Sequence, residues 1–171
     1  LWRNTFKSVL LEKEQLSFFL NEVLKINNLH IILSGAGSSA FIGEILGQSF
    51  YNNTGNFTSA IPTTDLVTHP KDFFNKAVPT LLISFARSGD SPESVATFEL
   101  AENMLDEVYH LIITCNPNGN LAKKAFNAKN SYVFVLPDEA NDRALAMTGS
   151  FTSMTLAGLL ISDLHNIVKN E

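Results

Sequence analysis

Four runs of nearly continuous apolar residues recur along the chain: LHIIL (29–33), TLLISF (80–85), YHLIIT (109–114) and YVFVL (132–136). A run of this kind, short and without alternation, suits a strand buried on both faces. A weaker fifth strand is expected within FTSAIPTTDLV (57–67), interrupted by Pro62. Helical patterns fall between the runs. AFIGEILGQSFYN follows the first, and LAKKAF precedes the last. From Pro92 to Glu107, Val95, Phe98, Ala101 and Leu105 form an inner stripe, while Glu99, Glu102, Asp106 and Glu107 take the outer side. Strands alternating with helices require parallel crossovers. The expectation is a three-layer α/β/α sandwich around a five-stranded parallel sheet of order 2-1-3-4-5.

With 171 residues the chain is expected to form a single domain: a helical leader over 1–28 and an α/β core over 29–171. In the leader, Leu16, Phe19, Leu20, Val23 and Leu24 share one helical face. A polar loop, PDEANDRALAMTG, precedes a final long helix.

In a sheet of this order, ligands bind at the carboxyl ends of the strands, where the order reverses. The reversal lies between the first and third strands. The loops leaving them are SGAGSS (34–39) and ARSGDSPES (86–94), the two most conspicuous polar loops of the chain. Each opens a helix. Ser91 before Pro92 pairs a hydroxyl N-cap with proline at the first helical position. Amides and dipole at such a start favour an anion. Hydroxyls from both loops, with Arg87 adding a charge-assisted bond, suit one phosphate. The competing reading is that the serines are helix caps and Arg87 a solvated charge.

Twelve Lys and Arg against seventeen Asp and Glu give a net charge of −5, which argues against a broad nucleic-acid surface but not against a small anion. The opening LWRNTFKSVLLEKEQ is too charged for a signal peptide. FTSMTLAGLLISDLHNIV carries Asp163 and His165, so it reads as a core helix rather than a membrane span. The single cysteine, Cys115, excludes an internal disulfide, reads as a buried small hydrophobe and fits a reducing, cytoplasmic compartment. No His, Cys or Asp spacing resembles a metal site, so neither metal nor cofactor is expected. A rival is the dinucleotide fingerprint G-x-G-x-x-[GA], matched by Gly35-Ala36-Gly37-Ser38-Ser39-Ala40. Its acidic partner would be Asp65, late for the usual spacing, and it leaves the second serine loop unexplained.

Three stretches, LSGAGSSAFIGE, SFARSGDSPESVA and NDRALAMTGSFTSM, together resemble the sugar isomerase (SIS) domain family. Within it they are most similar to the tagatose-6-phosphate ketose/aldose isomerases, also described as galactosamine-6-phosphate deaminase/isomerases. The resemblance implies a hexose phosphate ligand, with Ser39 on the phosphate and Ser38 facing the sugar. It implies a further phosphate set of the form hydroxyl–polar–hydroxyl–x–x–hydroxyl, in which Arg87, Ser88 and Ser91 keep the pattern and Ala86 departs from it. Thr148-Gly149-Ser150 would line the sugar side, with Thr148 as a ligand. Such enzymes resemble tandems of two SIS domains, and this chain matches the first. The proton-moving glutamate and histidine belong largely to the second copy or to a neighbouring subunit. The resemblance therefore implies a second SIS domain or a homo-oligomer as partner. A non-catalytic phosphosugar sensor is the alternative.

Aldose–ketose interconversion passes through an enediol and needs a carboxylate or imidazole beside the carbon acid. Glu44, Glu93, His30, His69, His110 and His165 are the candidates, and a surface or structural role is the expectation for each. Asp142 and Arg143 are expected to pair locally and order the loop before the last helix.

Overall fold

The computed structural model describes residues 1–142 and 146–164. Two helices, α1 (Trp2–Leu11) and α2 (Lys13–Val23), precede β1 (His30–Gly35). They are followed by α3 (Ala40–Thr54), β2 (Phe57–Ala60), α4 (Thr63–Thr68), α5 (Pro70–Phe73) and β3 (Thr80–Ala86). The chain continues through α6 (Pro92–Met104), β4 (Val108–Thr114), α7 (Asn120–Phe126), β5 (Ser131–Val135) and α8 (Thr148–Ser162). The strands form one sheet in the order β2-β1-β3-β4-β5, and every neighbouring pair is parallel. The expected fold class and strand order are those observed.

Side chains of a strand alternate between faces, and here both faces are apolar. Ile31, Leu33, Leu81, Ile83, Phe85, Leu111 and Ile113 pack on one side against α1, α2, α3 and α8. Ile32, Leu82, Ala101, Leu105 and Leu66 pack on the other, beneath α4 and α6. Ile112 joins Phe98, Leu121 and Ala125 of α6 and α7 there. This double burial is why the strands read as unbroken apolar runs. The leader belongs to the same core: Val9, Leu16, Leu20 and Val23 are buried in the first cluster.

Two boundaries differ from expectation, and a third falls where Pro62 marks it. The leader is two helices, broken at Glu12, where φ −98° and ψ 7° interrupt the spiral. The strand in 57–67 stops at Ala60. Ile61 still donates to the Leu33 carbonyl at 3.0 Å, but Pro62 has no N–H to extend the ladder, and α4 begins behind it. The helix expected to Glu107 ends at Met104. Leu105 turns extended (ψ 139°) and is buried, and Asp106 N–H donates to the Lys76 carbonyl at 3.1 Å. His165 and Arg143 lie outside the described residues. Among the described residues no helix is long and apolar enough to cross a membrane.

What positions the site is the register of β1 on β3. Ser34 pairs with Ser84 and Gly35 with Phe85, so both strands end at one level and release their loops side by side.

Candidate functional site

The turn after β1 is a short 3-10 segment, Gly37–Ser39, closed by a hydrogen bond from Ser39 N–H to the Ala36 carbonyl at 3.2 Å, and α3 follows directly. Ser38 is exposed and Ser39 half-buried. The turn after β3 ends at Ser91, whose extended backbone (φ −64°, ψ 130°) caps α6 with Pro92 in its first turn, as the sequence predicts. Ser91 Oγ accepts from Ser94 N–H at 3.3 Å and donates to Ser94 Oγ at 2.7 Å.

The two turns converge. A crevice of about 170 Å³ takes hydroxyls from Ser38 and Ser39 on one side, from Ser88, Ser91 and Ser94 on the other, and from Ser150 of α8. Phe85, Phe151 and Met154 give it apolar walls. Arg87 is the charged side chain among its described lining residues. Thus Ser38, Ser39, Arg87, Ser88 and Ser91 are brought together. Thr148 is not with them: it is exposed and faces a separate groove with Leu1, Trp2, Gly149 and Thr152. Two residues make over half a helical turn, so Thr148 and Ser150 point to different sides of α8. Ser150 is the member of that motif that reaches the crevice.

The hydroxyls are not equivalent. Ser88 Oγ accepts from Asp90 N–H at 3.3 Å, which leaves its proton for a ligand. Ser91 gives its proton to Ser94, so in this state Ser91 serves the helix and Ser94 presents a donor. Ser94 was legible as the i+3 neighbour of Ser91 on one helix face. Ser84, conspicuous in the same stretch, is buried inside β3.

The second turn is braced from behind by the loop after β4. Asn116 Nδ2 donates to the Ser88 carbonyl at 2.9 Å, and Leu121 N–H to the Gly89 carbonyl at 2.9 Å. Cys115 N–H donates to the Arg87 carbonyl at 3.2 Å, and Asp90 accepts from Asn120 N–H at 2.9 Å. The contact is close enough that a Cβ on Gly119 would collide with the Ser88 carbonyl. In the sequence NPNGN reads as turn chemistry alone; nothing local marks it as a support for a turn some thirty residues earlier.

Around this centre the ionisable groups serve structure. Cys115 is buried, and loss of hydration pushes its thiol up to about 12, with Asp142 acting in the same direction and Arg87 against it. His110 is fully buried, stacked on Phe98 with ring centroids 3.9 Å apart, and its Nε2 lies 2.9 Å from Glu102. Loss of hydration on burial lowers its pKa to about 3. His30 bonds to Ser59 at 2.7 Å at the opposite end of the sheet, and burial lowers its pKa as well. His69 bonds to Thr68, and Glu44 is exposed. None of these, nor Glu93, is among the residues lining the crevice. The Asp142 carboxylate accepts from Ser150 N–H at 2.7 Å and from Ser150 Oγ at 3.2 Å.

Among the described residues no three His, Cys, Asp or Glu side chains gather as a metal site would require. The dinucleotide reading loses its second element. β2 ends at Ala60, and Asp65 lies in the first turn of α4, exposed, not at the strand tip where a ribose-binding carboxylate belongs.

The sequence profile of the SIS domain matches residues 25–162. The chain belongs to the SIS domain family. It is 48% identical over 160 residues to D-galactosamine-6-phosphate deaminase AgaS of Escherichia coli, covering 94% of this chain and 42% of that protein. To D-galactosamine-6-phosphate deaminase AgaS of Shewanella sp. (strain ANA-3) it is 46% identical over 153 residues, covering 88% and 40%. The crystal structure of tagatose-6-phosphate ketose/aldose isomerase from Escherichia coli superposes with a TM-score of 0.91 at 48% identity, over 94% of this chain and 44% of that one. This SIS domain therefore spans less than half the length of the relatives it matches.

Proposed function

We propose that the chain is the phosphosugar-binding SIS domain of an aldose–ketose sugar-phosphate isomerase or amino-sugar-phosphate deaminase, of tagatose-6-phosphate or galactosamine-6-phosphate type. One observation carries the reading: two serine turns, fifty residues apart, meet with Arg87 at the carboxyl ends of β1 and β3. The names of the relatives support the substrate class. In this reading the phosphate sits among Ser39, Arg87, Ser88 and the capped start of α6, where Ser91 and Ser94 lie, and Ser38 faces the sugar. Bonds to a charged oxygen contribute roughly 1.5–3 kcal/mol each, enough to hold a dianion without a lysine cluster. Thr148 keeps a place only at the outer rim of the sugar.

The chemistry needs more than this crevice offers. Ring opening and proton transfer between C1 and C2, or loss of the C2 amine, require an acid and a base. Among the described residues no carboxylate or imidazole lines the crevice. Its volume of about 170 Å³ is also below the roughly 300–1,000 Å³ of complete ligand pockets. The chain thus holds the phosphate and orients the sugar, while a second SIS domain or another subunit of a cytoplasmic homo-oligomer supplies the proton carriers. Residues 1–171 act as one domain, the leader included. The same lack of an acid–base group favours the second reading, a phosphosugar sensor.

Calorimetric titration with galactosamine 6-phosphate, tagatose 6-phosphate, inorganic phosphate and NAD, followed by isomerase and deaminase assays, tests this. Binding of a hexose phosphate supports the reading; binding of NAD alone overturns it. Turnover by the whole protein separates enzyme from sensor.

A further inference from the structure

We propose that Asp142 is a positioning residue that sets the aim of Arg87 into the crevice. This rests on the reading of the crevice as a phosphosugar site. Asp142 is not among the residues lining the crevice, yet it touches two that are. Its carboxylate lies across the amino end of α8, taking Ser150 N–H at 2.7 Å and Ser150 Oγ at 3.2 Å. A carboxylate there also suits the positive end of the helix dipole. The approach is tight: a Cβ on Gly149 would lie 2.6 Å from Asp142 Oδ1, so glycine at 149 is what admits the carboxylate. The main chain of Asp142 makes a second contact. Its carbonyl accepts from Arg87 Nη1 at 3.1 Å.

These contacts form a relay. The side chain of Asp142 is pinned to α8, so its carbonyl is pinned too, and a fixed carbonyl holds one N–H of the guanidinium. Arginine carries five N–H donors in a planar fork, so fixing one aims the rest while leaving them for a ligand. Without that anchor a long side chain at the crevice rim samples many rotamers, and ligand binding must bear the cost of ordering it. Asp142 is therefore the link that ties the α8 wall of the crevice to its cation.

The test compares the wild-type chain with Asp142→Ala, Asp142→Asn, Arg87→Ala and the double Asp142→Ala/Arg87→Ala variant. Three readouts are taken: Kd for galactosamine 6-phosphate, Tm, and the order of the Arg87 Nε–H by 15N relaxation without ligand. Asp142→Ala is expected to weaken binding about tenfold and to loosen the Arg87 side chain. Asp142→Asn, whose amide oxygen still accepts from Ser150 N–H, stays within about threefold of wild type. In the Arg87→Ala background, Asp142→Ala adds no further loss. An unchanged Arg87 order in Asp142→Ala overturns the proposal, as does an equal loss with and without Arg87. An Asn variant as weak as Ala overturns it too, because charge and not position would then be the cause. If the wild type binds no sugar phosphate, the functional reading falls, while the ligand-free order of Arg87 still decides the positioning claim.

Discussion

Asn116, at the tip of β4, donates its side-chain amide to the Ser88 carbonyl at 2.9 Å, so the shape of one loop is set by another. The serine turn has few bonds of its own; the one within it from Asp90 N–H to Ser88 Oγ is long at 3.3 Å. Its form therefore depends on the loop behind it. Asn116→Ala is expected to cost about 1 kcal/mol of stability and several-fold in sugar-phosphate affinity. Gly119→Ala, which drives a methyl into the Ser88 carbonyl, loses more of both. Paired denaturation and calorimetry check this. Loss of stability with unchanged affinity would show that the turn keeps its shape unaided.

Ser91 and Ser94 divide two tasks that the sequence merges into one. Ser91 Oγ is taken up by the start of α6, whereas Ser94 receives that proton and keeps its own for the crevice. Ser91→Ala is expected to lower stability by about 1 kcal/mol, the usual cost of a lost N-cap. Ser94→Ala is expected to weaken sugar-phosphate binding more than Ser91→Ala does. Measured Tm and Kd for the two variants test the division; the reverse ranking of affinities would put the phosphate on Ser91.

The crevice was legible because of where its parts lie. Ser38, Ser39, Arg87, Ser88 and Ser91 sit in two continuous stretches at the ends of apolar runs, and parallel topology makes such ends meet. The run pattern itself survives because both faces of β1, β3 and β4 are buried. What the sequence left hidden is contact between distant segments. The bonds from Asn116 to the Ser88 carbonyl and from Ser150 to the Asp142 carboxylate have no local signature, since any polar residue in a loop has the same appearance. Thr148 was placed by its motif and misses the crevice because two positions along a helix turn the side chain away. The strand within 57–67 stops just before Pro62, the residue that marks its interruption in the sequence.

His110 links stability to pH. Its ring is fully buried and stays neutral down to about 3, whereas in the unfolded chain it takes up a proton near the ordinary value of 6.5. Between those values the unfolded state binds more protons. The contribution is whole above pH 6.5 and declines as pH falls toward 3, by at most about 1.4 kcal/mol per pH unit. His110→Phe keeps the stacking on Phe98 and removes the buried Nδ1, which has no partner. The difference in unfolding free energy between wild type and His110→Phe, followed from pH 7 to pH 4, should shift steadily in favour of the variant. A difference that does not change with pH would show that the ring takes up its proton in the fold just as it does in the unfolded chain.

The account stands on two separate turns forming one anion site, and amide chemical-shift mapping during titration with galactosamine 6-phosphate tests that most directly. The amides of Ser38, Ser39, Ser88 and Ser94 should shift together and saturate with one Kd, and Arg87→Ala should weaken all four alike. Shifts at one turn only, or two turns that saturate at different concentrations, would contradict it.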